Sequence, residues 1–121
     1  MILQFDHISL FVSDLEKSKT FFSQVLELYE IPRPAFDFPG AWFQLAPNVQ
    51  LHLIAGREKP AIETGSRKNH FAVLVKDIFE AEQKAKDFGL TYVGPKRRPD
   101  GAWQLFIADP DGHYIEFSTP L

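Results

Sequence analysis

Residues 6–14 read DHISLFVSD, and residues 69–77 read NHFAVLVKD. In both stretches a polar residue and a histidine lead into an apolar run. In both, an aspartate follows seven residues after the histidine, Asp14 after His7 and Asp77 after His70. Self-similarity of this kind decides the architecture, because each copy is one supersecondary unit that cannot bury its apolar face alone.

Working outward, each run is followed by a segment of helical character. In the first half Ser13 and Glu16 have capping-box spacing, and Leu15, Phe21, Phe22, Val25 and Leu26 form an apolar stripe. In the second half Asp77 and Glu80 make a similar start. Ile78, Ala81, Ala85 and Phe88 recur at helical spacing, and Gly89 stands where a C-cap is expected. Further on, PGAWFQL (39–45) matches DGAWQLF (100–106) through Gly-Ala-Trp. A turn and a last strand follow each, VQLHLI in the first half and YIEF in the second. The histidines His7 and His70 lie 63 residues apart and the tryptophans Trp42 and Trp103 lie 61 apart, so the register is kept to within a loop adjustment.

Both halves therefore read strand, helix, weak strand, strand, strand. The expected fold class is α+β: two paired βαβββ modules, residues 1–56 and 70–121, forming a curved mixed sheet around a shared cavity within one domain. The polar stretch 57–69 is the connection. Residues 29–39, YEIPRPAFDFP, hold three prolines and are expected to form an irregular loop bordering any cleft.

Side chains alternate along a strand, so parity assigns faces. Ile8, Leu10 and Val12 oppose His7, Ser9 and Phe11; Phe71, Val73 and Val75 oppose His70, Ala72 and Leu74. Leu51 and Leu53 oppose Gln50, His52 and Ile54, and Ile115 and Phe117 oppose Tyr114, Glu116 and Ser118. Each apolar face suits a covering helix. Each opposite face carries one good metal-binding side chain. His7 and His70 are equivalent in the repeat, and His52 and Glu116 are equivalent by strand order. A pseudo-twofold relation would let all four converge. Three imidazoles and a carboxylate suit a divalent ion, Zn²⁺, Ni²⁺, Mn²⁺, Co²⁺ or Fe²⁺. A lone strand histidine is ordinarily a half-polar residue with one hydrogen bond, but a buried carboxylate such as Glu116 needs a partner. Trp42, Trp103, Phe106 and Ser9 are the expected pocket residues, and His113, in a PDGH turn, is expected at the surface.

The bulk composition narrows the function classes. The chain has 121 residues, of which 45% are hydrophobic and 12 are phenylalanine, enough for a real core. A formal charge of −3 offers no global attraction to nucleic acid or anionic membrane. Basic residues gather locally at Arg57/Lys59, Arg67/Lys68 and Lys96–Arg98, as solvated loops or as a site for an anionic group. With no cysteine, disulfides, thiolate metal sites and cysteine nucleophiles are excluded. Asp6 and His7 interrupt the N-terminus too early for a signal-peptide core, and no apolar run approaches a membrane span. The expectation is a cytoplasmic protein with a small-molecule substrate and neither nucleic-acid nor membrane partner.

These residues resemble the vicinal oxygen chelate superfamily, which contains glyoxalase I, fosfomycin-resistance thiol transferases, extradiol dioxygenases and bleomycin-resistance proteins. The carriers are DHISLFVSDLEKSKTFFSQVL, NHFAVLVKDI and FIADPDGHYIEF. The resemblance implies the paired βαβββ fold with a metal in its cavity, and a homodimer. It implies ligands at His7, His70 and Glu116, with a fourth position at His52, where glyoxalase I carries a glutamate or glutamine. The activity it implies is that of a metal-dependent lyase or isomerase acting on a small, oxygenated, chelating substrate. Glu116, the one carboxylate among the ligands, is the candidate general base. A histidine at position 52 leaves the site more positive, which favours an anionic substrate. The alternatives are an Fe²⁺ extradiol-type dioxygenase, a Mn²⁺ thiol transferase, or a non-catalytic binding protein of the bleomycin-resistance type.

Overall fold

The computed structural model describes residues 1–58 and 69–121. The expected connection at 57–69 falls mostly outside the described residues, as do Lys59, Arg67 and Lys68. The chain divides into two compact units, Met1–Pro60 and Ala61–Leu121. The first holds β1 (His7–Val12), α1 (Leu15–Gln24), β2 (Tyr29–Ile31), β3 (Gly40–Ala46) and β4 (Val49–Ala55). The second holds β5 (His70–Leu74), α2 (Ile78–Asp87), β6 (Tyr92–Arg97), β7 (Trp103–Ala108) and β8 (Tyr114–Ser118). This is the βαβββ order expected from the repeat, and the α+β class is borne out.

Each unit builds one four-stranded mixed sheet, in the order β1-β4-β3-β2 and β5-β8-β7-β6. The parallel pairs are β1 with β4, His7 opposite Gln50, and β5 with β8, His70 opposite Tyr114. Parallel strands need a crossover connection, and the helix of each unit lies on it. The remaining pairs are antiparallel, with β3 turning into β4 through Asn48, whose φ of 60° suits a tight turn. The weak strand of the first half, β2, is only three residues long.

The helix starts differ from expectation in one detail. The extended residue before α1 is Asp14, not Ser13, and its carboxylate accepts from the Lys17 amide at 3.1 Å. A carboxylate there also meets the positive end of the helix dipole. In α2, Asp77 caps as expected, accepting from the Phe79 amide at 2.9 Å. Gly89, at φ +63°, ends α2: its amide donates to the Lys86 carbonyl and the Leu90 amide to the Ala85 carbonyl, a Schellman arrangement. Phe88, expected on the buried stripe, is instead 45% exposed, because as C-cap it has left helical phase.

The core of each unit lies between helix and sheet. Phe21 and Phe22 of α1 and Val25, its C-cap, are buried with Phe43, Leu51 and Leu53 of the sheet. Ile78 and Ala85 of α2 are buried with Leu105, Ile107, Ile115 and Phe117. Each large apolar side chain removed from water in this way contributes about 1.5–3 kcal/mol. On β1 and β5 the parity reading holds: Ile8, Leu10, Phe71 and Val73 are half-buried, while His7, Ser9, His70 and Ala72 are exposed. No helix among the described residues is long and apolar enough to cross a membrane.

Candidate functional site

In the first unit the polar face of the sheet opens into a cavity of about 530 Å³, a size that suits a small molecule. Parallel pairing sets Ser9 of β1 opposite His52 of β4, and antiparallel pairing sets Trp42 of β3 opposite His52 from the other side. All three line the cavity, as does His7.

The rings form a stack. The His7 and His52 centroids are 4.0 Å apart with planes 18° apart, and the His52 and Trp42 centroids are 3.9 Å apart with planes 2° apart. His7 Nδ1 is 2.7 Å from Asp6 Oδ2 and donates to it, which orients the ring. His52 Nε2 donates to Gln50 Oε1 at 2.8 Å. The His52 pKa is lowered, first by burial and then by the neighbouring His7 and Arg33, with Asp6 opposing. A neutral imidazole is the form that ligates a metal.

Residues 29–31, expected as part of an irregular loop, pair with β3 as β2, and the proline-bearing remainder closes one side of this cavity. It contributes Arg33, Phe36 and Phe38. The Arg33 Cζ lies 5.1 Å from the Phe36 ring and 4.9 Å from the Phe38 ring, and Nη2 donates to the Phe38 carbonyl at 2.6 Å. These three carry no periodic signal, and the sequence marks them only as part of 29–39. A single cation set among prolines and aromatic residues was the available clue.

In the second unit Glu116 is buried, 7% exposed, in β8. It accepts from Gln104 Nε2, and its Oε2 is 4.0 Å from Arg98 Nη1. Arg98 also grips Asp100 through Nε (3.1 Å) and Nη2 (2.5 Å), and this hydrogen bonding holds the Asp100 carboxyl below its usual range. The basic cluster Lys96–Arg98 thus includes one guanidinium already engaged with carboxylates. His70 stands at the start of β5, its ring edge-on to Phe106 at 5.2 Å.

The structure revises one equivalence drawn from the repeat. Pairing sets Trp42 opposite His52 and Phe106 opposite Glu116, so the counterpart of Trp42 is Phe106, three residues beyond Trp103. An odd offset reverses the face. Trp103 packs against Phe79 of α2 at 5.2 Å, with the Arg97 guanidinium 4.8 Å from its ring. Phe106 occupies the Glu116 side, next to His70 and Tyr114. His113 is not a free surface residue either. Its amide and Nδ1 both donate to the buried Asp109, at 2.7 and 2.8 Å, closing the DPDG turn.

His7 and His52 are thus brought together in the first unit, and His70 and Glu116 share a sheet face in the second. Among the described residues, no three His, Cys, Asp or Glu side chains are grouped so that they could hold a metal ion.

This fold and these strand positions define a class. The chain belongs to the Glyoxalase/Bleomycin resistance protein/Dioxygenase superfamily, whose family model matches residues 4–117. It is 32% identical over 123 residues to a lactoylglutathione lyase of Neisseria meningitidis, covering 92% of this chain and 86% of that protein. It is 28% identical over 123 residues to the metallothiol transferase FosB of Bacillus licheniformis, covering 98% of this chain and 76% of the other. Among solved structures, a glyoxalase family protein of Bacillus anthracis superposes with a TM-score of 0.80 at 25% identity, covering 100% and 98% of the two chains. A mutant of the fosfomycin resistance protein FosX of Listeria monocytogenes shares the fold, with a TM-score of 0.84 at 21% identity over 100% and 95% of the chains, in a complex with Mn(II) and 1S,2S-dihydroxypropylphosphonic acid.

Proposed function

We propose that this chain is a metal-dependent enzyme, a lyase or isomerase acting on a small, anionic substrate that chelates through neighbouring oxygens. The observation that carries the reading is the His7–His52–Trp42 stack inside the cavity, with His7 oriented by Asp6. The donor chemistry fits a divalent ion. His7 is oriented by its bond to Asp6, burial lowers the His52 pKa, and Glu116 is a buried carboxyl side chain. In this reading His7, His52, His70 and Glu116 are the ligands. A bound ion would polarise the substrate oxygens and stabilise negative charge developing on them.

The remaining work falls to side chains of the chain itself. Glu116 is the candidate general base, and Gln104, which donates to it, orients the carboxylate. Trp42 and Ser9 line the first unit's cavity, Phe106 stands opposite Glu116 in the second unit, and Trp103 is left to packing on α2. Because His7 and His52 meet face to face, their in-plane lone pairs do not converge, and joint ligation requires one ring to turn.

A homodimer fits the exposed apolar side chains on two strands at sheet edges, Phe11 of β1 (48%) and Leu74 of β5 (72%). Sedimentation at micromolar concentration tests that part.

Calorimetric titration with Zn²⁺, Ni²⁺, Mn²⁺ and Co²⁺, with thermal unfolding as a second readout, tests the metal. The expected result is one site per chain that stabilises the fold by mass action. His52→Ala is expected to weaken it strongly; retained affinity with altered turnover would make His52 a substrate contact. Glu116→Gln is expected to abolish proton transfer. Absence of any titratable site overturns the reading. Iron-dependent oxygen uptake with catechols, or metal-dependent thiol consumption, would move the reaction to the dioxygenase or transferase class.

A further inference from the structure

We propose that Arg33 is the residue that recognises the anionic group of the ligand in the first unit's cavity. It takes a carboxylate or phosphonate whose apolar body lies against Phe36, Phe38 and Trp42. The inference deepens the function proposed above and rests on its view that this cavity holds a small anionic substrate.

Four observations converge on Arg33. First, its guanidinium lines the cavity yet has no carboxylate partner among the described residues; its recorded hydrogen bond is the one from Nη2 to the Phe38 carbonyl, 2.6 Å. Second, Nε is buried without any hydrogen-bond partner. No protein acceptor therefore offsets the cation on that edge, which packs beside Gly40. Third, the guanidinium is positioned before any ligand arrives. Two phenyl rings approach it at 4.9 and 5.1 Å, and the prolines at 32, 34 and 39 restrict the loop that carries it. Fourth, Gly40 makes the room. A Cβ there would lie 3.1 Å from Arg33 Nη2 and 3.2 Å from Nε.

The cavity also holds one carboxylate, Asp6, which the neighbouring His7 Nδ1 engages at 2.7 Å. Arg33 is therefore the cavity's uncompensated cation, beside an apolar and aromatic wall. Its planar fork matches a two-oxygen face of a carboxylate or phosphonate, a match a lysine ammonium cannot reproduce.

The test uses the full chain and three probes that share a phenyl body: phenylphosphonate, benzoate and uncharged benzyl alcohol. Binding is followed by calorimetry and by fluorescence, for wild type, Arg33→Gln and Arg33→Lys, with Zn²⁺ affinity measured on each. Both anions are expected to bind wild type more tightly than the alcohol, and their ratio says whether carboxylate or phosphonate is preferred. Arg33→Gln is expected to lose about tenfold or more in affinity for the anions and little for the alcohol, the scale of a charge-assisted hydrogen bond. Arg33→Lys recovers only part of it. Unchanged anion affinity in Arg33→Gln overturns the proposal, and so does failure of all three probes to bind wild type. Zn²⁺ affinity reports separately: if it is absent while the anion preference depends on Arg33, the metal reading fails and this one stands.

Discussion

The indole of Trp42 and the imidazole of His52 lie parallel, 3.9 Å between centroids and 2° between planes, on directly paired residues of β3 and β4. Cross-strand pairs of this kind are where sheet pairing and side-chain packing reinforce each other. A double-mutant cycle over Trp42→Ala and His52→Ala is therefore expected to show a coupling of about 0.5–1.5 kcal/mol in urea unfolding. Additivity of the two substitutions would mean that the stack contributes nothing beyond burial.

His52 also predicts a pH dependence. Its pKa is lowered on folding from 6.5, mainly by burial, so the unfolded chain takes up a proton more readily than the folded one. Its contribution to stability is then complete above about pH 6.5 and is lost as pH falls toward the folded value. Urea unfolding between pH 5 and pH 8 is expected to show this slope, and His52→Gln is expected to flatten it. An equal slope in both proteins would assign the dependence to another group.

Gly40 is required by close approach. A Cβ at this position would stand 2.4 Å from the Leu53 carbonyl oxygen, a backbone atom of the neighbouring strand that cannot swing aside. Gly40→Ala is expected to destabilise the chain by about 1–3 kcal/mol, the usual scale for overpacking. Chemical denaturation measures the loss directly.

Two aspartates should differ in proportion to their burial. Asp14 caps α1 at the surface, and Asp14→Ala is expected to cost about 1 kcal/mol. Asp109 is 5% exposed and accepts from the Asp111 amide, the His113 amide and His113 Nδ1. Removing it leaves buried donors unpaired, and Asp109→Ala is expected to cost about 2–3 kcal/mol. Thermal unfolding of both variants ranks them, and a larger loss for Asp14 would contradict the hydrogen bonding described.

The repeat was legible without a structure because strand alternation and helical spacing are local properties. Asp77 marks the start of α2 and Gly89 its end. Period two alone separated His7, Ser9 and His52 from Ile8, Leu10, Leu51 and Leu53. The helix cap moved by one residue, from Ser13 to Asp14, because either side chain can accept from an early helix amide and only backbone geometry chooses between them.

By itself, then, the sequence determined two βαβββ units, their helices and the polar faces of their strands, since these follow from short-range periodicity. Only the tertiary structure decided which distant residues meet. Strand register matched Trp42 with Phe106 and sent Trp103 to the helix side, an outcome that a three-residue offset hides from any motif comparison. Likewise the loop after β2 carried no period to read. It took folding against β3 and β4 to bring Arg33, with its unpartnered Nε, into the same cavity as His7 and His52.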